Sequence, residues 1–207
     1  MEEFKRLISL IGIDNYNKLA NKKIAIFGLG GIGSNVLSSL VRTGIDSFVL
    51  VDYDIVEPSN FNRQKIANYT TLGLKKTDAA YHLMKKINNN LSCKLYDLKI
   101  DKDTIHKVDL KDVCYIVDAV DDLEAKLAIL MKAKELNISN FYTTLLVSPY
   151  KDSVKIKELA NYISSENKLN FISLKFNQLD LSKKSNKLAK LKGFYCQKYC
   201  GCEFSKK

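Results

Sequence analysis

The run Gly28-Leu29-Gly30-Gly31-Ile32-Gly33 constrains this chain more than any other stretch. It follows KIAIF at 23–27, an apolar run short enough for a buried strand, and it precedes residues 34–42, where Val36, Leu37, Leu40 and Val41 share one helical face. Between a strand and a helix, a GxGxxG sequence permits a tight turn and close backbone approach, and the amides opening the helix can hold a phosphate. Gly28, Gly30, Gly31 and Gly33 are therefore candidate nucleotide-binding positions. Asp52 lies 19 residues beyond Gly33, at the end of a second apolar run at 48–51, where an acid can bind ribose hydroxyls. A glycine turn that serves chain packing alone is the alternative.

The pattern continues in the same alternation. Gly44 ends the first helix, residues 48–51 form a second strand, an Asn-rich irregular segment runs from Asp52 to about residue 72, and a helix is expected over 75–87. Next come a strand at 93–98, a short helix around Thr104, a strand at 113–117, a helix at 123–136 and a strand at 141–147. This predicts an α/β, Rossmann-like fold, a mostly parallel sheet with helices on both faces. Beyond Pro149 the pattern loses regularity. Residues 154–159 read as one more strand, 161–192 are polar and lysine-rich, and 193–207 bring three cysteines together. Two parts are expected, 1–150 as the nucleotide-binding domain and 151–207 as a basic C-terminal extension on the same domain.

Charge follows that division. Of the net +10, residues 1–150 carry 20 basic and 18 acidic side chains, and residues 151–207 carry 13 and 5, so +2 against +8. A basic stretch favours an anionic partner, nucleic acid first, with a solvated lysine surface as the alternative. Arginine occurs only at Arg6, Arg42 and Arg63, among 30 lysines, which marks these three for forked recognition of phosphate. No run approaches the roughly 18 apolar residues a membrane span needs, and the first residues are acidic where a signal peptide is basic. A cytoplasmic protein with no membrane partner is expected, and five cysteines, an odd number, fit a reducing compartment.

Three polar segments sit where a parallel sheet binds ligands, at the carboxyl ends of its strands. Asp52-Tyr53-Asp54 leads into Ser59-Asn60-Phe61-Asn62-Arg63-Gln64, whose amides and arginine suit triphosphate oxygens; an ordered polar loop is the other reading. Gly73-Leu74-Lys75-Lys76 places lysines at a helix start, against the helix dipole, which a bound phosphate would offset. Asp118-Ala119-Val120-Asp121-Asp122 offers carboxylates for Mg²⁺ held against a polyphosphate, Asp121 first, and one of these acids is also expected to cap the following helix. A nicotinamide dehydrogenase would use the same glycines, yet the chain supplies no evident hydride-transfer acid.

GLGGIGS, DYDIVEPSNFNRQ, GLKK and DAVDD, in this order over roughly residues 5–150, resemble the ubiquitin-activating-enzyme-like adenylyltransferase superfamily of ThiF, MoeB and HesA type. That resemblance implies activation of a carboxylate by attack on the α-phosphate of ATP, with release of pyrophosphate. It implies that Gly30, Gly31 and Gly33 line the phosphates, Asp52 binds ribose, and Asn60 and Arg63 contact phosphate. Asp54, Asn62 and Gln64 belong to the same binding segments. Lys76 would neutralise the leaving pyrophosphate, Asp121 would hold Mg²⁺, and Arg6 would reach across the interface of a homodimer.

Within that superfamily, three segments are similar to the tRNA threonylcarbamoyladenosine dehydratases. They are Phe4-Lys5-Arg6 through Leu10-Ile11-Gly12, Arg42-Thr43-Gly44-Ile45, and Asp118-Ala119-Val120-Asp121 with Lys126; the closing Phe204-Ser205-Lys206 is also similar. The implied reaction adenylates the threonylcarbamoyl carboxylate on adenosine 37 of tRNA and closes a ring, and a tRNA partner accords with the +8 tail. Adenylation of the C-terminal glycine of a sulfur-carrier protein is the alternative, although the paired Cys-x-x-Cys zinc motifs of such relatives are absent. A non-catalytic nucleotide- and RNA-binding module is the second alternative. Cys196, Cys200 and Cys202 form C-x3-C-x-C, three thiolates that would need a fourth ligand for zinc, and Cys202 is the candidate for catalysis.

Overall fold

The computed structural model describes residues 2–143, 146, 152–173, 187 and 190. The chain divides into two compact units, Met1–Asn137 and Ile138–Lys207.

The first unit is built on strands β1 (Lys23–Phe27), β2 (Ser47–Val51), β3 (Ser92–Tyr96) and β4 (Tyr115–Asp118). All pair in parallel in the order β3-β2-β1-β4. Because successive side chains of a strand point to opposite faces, β1 and β2 feed two cores. Ile24, Ile26, Phe48 and Leu50 pack under α3 (Gly33–Arg42) and α4 (Lys76–Lys85), with Leu37, Val41, Ala79, Ala80 and Met84. Ala25, Phe27, Val49 and Val51 pack on the other face with Ile105, Val108 and, from α5 (Leu123–Glu135), Ala125, Ala128 and Ile129. Each large side chain removed from water in this way contributes roughly 1.5–3 kcal/mol. The expected α/β architecture, covered on both faces, is the one observed.

Two helices precede the sheet, α1 (Lys5–Ile11) and α2 (Ile13–Ala20). The second buries Tyr16 against Gly44, where a Cβ would stand 2.7 Å from the Tyr16 hydroxyl. Gly44 also has φ +93°, so the position just past α3 favours glycine on two counts. The helix expected around Thr104 is a single 3-10 turn, Ile105–Lys107.

In the second unit, β5 (Asn140–Phe141) pairs in parallel with β6 (Asn170–Phe171), so the strand expected over 141–147 is a two-residue strand in a separate two-stranded sheet. Residues 144, 145 and 147 of that expectation lie outside the described residues. The strand expected over 154–159 is instead part of a helix, α6 (Ser153–Asn167). The Val154-Lys-Ile156-Lys alternation suggested a strand, but Asp152 accepts hydrogen bonds from the amides of Val154 and Lys155 and so caps a helix. Val154 and Leu159 are mostly exposed, so the apolar residues of that stretch do not form one buried face.

Candidate functional site

The sheet order reverses between β1 and β4, and the loops leaving these neighbouring strands meet at their carboxyl ends. Gly28 leaves β1 with φ +85°, its amide donating to Val51 O (2.8 Å), and a Cβ there would lie 2.7 Å from Ala119 O of the loop after β4. At Gly33 a Cβ would stand 1.8 Å from Gly28 O. Chain packing alone requires glycine at both positions. Gly30 and Gly31 differ, since neither has positive φ and the nearest atoms to an added Cβ are Gln64 Nε2 at 4.0 Å and Arg63 Cγ at 3.5 Å. Their lack of a side chain leaves a cradle open beside Arg63 and Gln64. No side chain caps the start of α3.

Asp52, at the end of β2, is buried and takes two backbone hydrogen bonds, from Leu29 N–H (2.6 Å) and Asp54 N–H (2.8 Å). Burial raises its pKa above the ordinary carboxylate value, and the two amide bonds oppose that rise. The acid picked out for ribose therefore also fixes the glycine loop, and lone pairs remain on each oxygen for a ligand hydroxyl. Asp54 accepts from Lys76 Nζ at 2.6 Å. The Lys76 ammonium is buried while Asp54 is about half exposed, and the Lys76 amide donates to Asp54 O at 2.9 Å. Two of the three ammonium protons remain for phosphate oxygens. The preceding Lys75 pairs instead with Asp97 (2.6 Å).

Asn60 is buried in a 3-10 turn, Pro58–Asn60, with its Oδ1 accepting from Glu57 N–H (3.1 Å). Arg63 is exposed, its Nη1 donating to Ser59 O (2.8 Å) and to Asn62 Oδ1 (3.1 Å). Gln64 is only 6% exposed, and its Oε1 is buried with no hydrogen-bond partner. Leaving a buried acceptor unpaired costs about 1–3 kcal/mol, and only a hydrogen-bond donor could complete this oxygen. Of the acids after β4, Asp118 pairs with Lys126 (3.1 Å), and Asp122 accepts from Ala125 N–H (2.8 Å) and caps α5. Among the described residues Asp121 has neither a hydrogen bond nor an ion pair. No group of three or more His, Cys, Asp or Glu among the described residues could enclose a metal. A cation at Asp121 would thus have to share phosphate oxygens, as Mg²⁺ does.

The structure brings together Gly28–Gly33, Asp52, Asp54, Asn60, Asn62, Arg63, Gln64 and Lys76 through these contacts, with the Asp118–Asp122 loop against Gly28 and Gly33. It does not bring in Arg6, which is exposed on α1 with no hydrogen bond or ion pair among the described residues. Cys202, with Cys196 and Cys200, lies outside the described residues. Burial pushes the Cys93 thiol up to about 12, which leaves it without reactive thiolate, and Cys114 is exposed. Sequence reasoning passed over Ser34 and Asn35, although both directly follow the last glycine.

A family model described as the ThiF family matches residues 4–149, more than two thirds of the chain and all of the site above. The chain belongs to the ThiF family. Among its ThiF relatives, Ubiquitin-like modifier-activating enzyme 5 of Bombyx mori is 35% identical over 147 residues, 65% of this chain and 37% of that protein. The chain spans only about a third of the length of such relatives. The crystal structure of E. coli tRNA N6-threonylcarbamoyladenosine dehydratase, TcdA, aligns with a TM-score of 0.63 at 27% identity, covering 66% of this chain and 57% of that one. E. coli MccB, solved with ATP, aligns with a TM-score of 0.54 at 30% identity over 59% of this chain and 36% of its own.

A second family model, described as Epoxyqueuosine reductase QueH, matches residues 113–207. The two matches share 113–149. The glycine loop, Asp52, Arg63 and Lys76 fall under the ThiF match alone, whereas Cys196, Cys200, Cys202 and the closing Phe204-Ser205-Lys206 fall under the QueH match alone.

Proposed function

We propose that this ThiF-family chain is an ATP- and Mg²⁺-dependent enzyme that adenylates the threonylcarbamoyl carboxylate on adenosine 37 of a tRNA and cyclises it with loss of water. The observation that carries the nucleotide part is the cradle at Gly30 and Gly31, glycines that the chain's own packing does not require, with the Gln64 amide nitrogen and the Arg63 side chain the nearest groups to them. The likeness to TcdA and the +8 charge of residues 151–207 support tRNA as the carboxylate carrier.

In this reading a carboxylate oxygen bonds the α-phosphorus of ATP and the bond to the bridging oxygen breaks, releasing pyrophosphate. Internal attack on the adenylated carbonyl then expels AMP and closes the ring. The amides of the glycine loop and the Arg63 guanidinium hold phosphate oxygens, and Lys76 stabilises charge developing on pyrophosphate. Asp52 orients the loop and the ribose. Mg²⁺, when bound, would supply charge neutralisation between Asp121 and the phosphates. Arg6 would serve a second subunit of a homodimer.

The test incubates the full chain with ATP, Mg²⁺ and tRNA bearing threonylcarbamoyladenosine, then weighs the digested nucleoside. Loss of one water from the nucleoside, dependent on ATP, is expected; an unchanged mass overturns the tRNA assignment. Likeness to ubiquitin-like modifier-activating enzymes favours a protein C-terminus as the other substrate. Pyrophosphate exchange that requires a small carrier protein and ignores tRNA would establish that alternative.

A second reading concerns residues 113–207, carried by their match to the epoxyqueuosine reductase family and by the cysteines within it. Here that segment would pass two electrons from an external reductant, with two protons, to epoxyqueuosine and release the epoxide oxygen as water, with Cys196, Cys200 and Cys202 as the candidate thiolates. The check is epoxyqueuosine incubated with the full chain and dithionite. Loss of one oxygen from the nucleoside, abolished by Cys200→Ser, is expected; an intact epoxide in the wild-type reaction overturns it.

A further inference from the structure

We infer that Ser34 and Asn35, in the first turn of α3, are positioning residues that clamp the glycine loop to the Arg63–Gln64 segment, so that the two phosphate-facing pieces keep one spacing. The inference rests on the nucleotide reading above.

Ser34 is fully buried. Its hydroxyl donates to Gly30 O (2.6 Å) and accepts from Lys65 N–H (3.0 Å), 31 residues away. Asn35 Nδ2 donates to Gly31 O (2.6 Å) and to Arg63 O (3.1 Å), 28 residues away. A bond back to the carbonyl four residues earlier is ordinary for such side chains in helices. Ser39, on the same helix, makes that local bond to Asn35 O and no other. What sets Ser34 and Asn35 apart is the second bond of each, which reaches the backbone on either side of Gln64.

The backbone bonds of the 60–67 segment are local, Arg63 and Gln64 N–H to Asn60 O and Ala67 N–H to Gln64 O, and these shape the turn without fixing its distance from the glycine loop. Among the described residues, Ser34 and Asn35 make the hydrogen bonds that join it to Gly30 and Gly31. Orienting groups before the ligand arrives lowers the cost of binding a phosphate between them.

Ser34→Ala, Asn35→Ala and Asn35→Leu, which keeps nearly the size of Asn and adds no charge but loses the donor, test the clamp in the full chain. Amide hydrogen exchange at Lys65 without nucleotide and calorimetric binding of ATP with Mg²⁺ are the readouts. Faster Lys65 exchange in Ser34→Ala is expected, with ATP affinity weakened about three- to tenfold in all three variants, the range of one or two lost hydrogen bonds. In an Arg63→Ala background the same changes should cost little, because the group being positioned is gone. Unchanged Lys65 exchange, unchanged affinity, or losses that simply add to that of Arg63→Ala would overturn the clamp. Asn35 is exposed, so its variants carry the affinity arm should Ser34→Ala fail to fold. A wild-type chain that binds no ATP overturns the nucleotide reading, and Lys65 exchange in Ser34→Ala then still judges the clamp.

Discussion

Packing requires glycine at Gly33 and not at Gly30, and this separates a folding glycine from a candidate binding one. A Cβ at Gly33 would collide with the carbonyl of Gly28, whereas one at Gly30 meets nothing closer than 4.0 Å. Gly33→Ala should therefore destabilise the protein by about 3 kcal/mol or more, since backbone must move. Gly30→Ala should leave the urea midpoint within the roughly 0.5 kcal/mol of an ordinary surface change and weaken ATP binding. Equal unfolding midpoints for the two variants would contradict this division. Asp52 gives a second prediction, in pH. Burial raises its folded-state pKa above the ordinary value of 3.8, so across that interval the native state binds more protons than the unfolded chain. Stability then falls as pH rises from about 3.8 through the raised value and is flat above it. Thermal melts of Asp52→Asn should lack that slope; a slope equal to the wild type's would refute it. The sequence marked Asp52, Asp54 and Lys76 for the site, but not that Asp52 holds Leu29 or that Asp54 neutralises Lys76, because spacing carries no information on which groups meet.

At the scale of elements, β1 and β2 and their helices were legible because KIAIF and FVLV are buried on both faces and leave no alternative role for those residues. The helix α2 was not, because one buried residue, Tyr16, anchors an otherwise exposed segment. In α6 a period-two run of apolar residues imitated a strand, and the Asp152 cap decided for helix. The same capping logic divides the acids before α5. Asp122→Ala removes the cap and should cost about 1 kcal/mol, while Asp121→Ala should leave unfolding unchanged and remove the Mg²⁺ dependence of ATP binding. Calorimetry with and without Mg²⁺ checks both, and a loss of stability in Asp121→Ala would show that this acid serves the fold.

Over the whole molecule, the charge changes near the end of the ThiF match. Residues 1–150 are near neutral and hold the ThiF match, while residues 151–207 carry +8 and lie wholly within the QueH match. The glycine loop and the three polar segments announced the first family because each carries a fixed backbone or charge requirement. The likeness of residues 113–207 to QueH was not read from the sequence, since cysteine spacing alone leaves structural, metal-binding and catalytic roles open. No helix among the described residues is long and apolar enough to cross a membrane. Attack at the α-phosphate of ATP is followed with α-labelled ATP, Mg²⁺ and tRNA bearing threonylcarbamoyladenosine. AMP is expected from the wild type and none from Arg63→Ala or Asp121→Ala; formation of ADP instead, or no nucleotide product from the wild type, would rule out adenylation of this substrate.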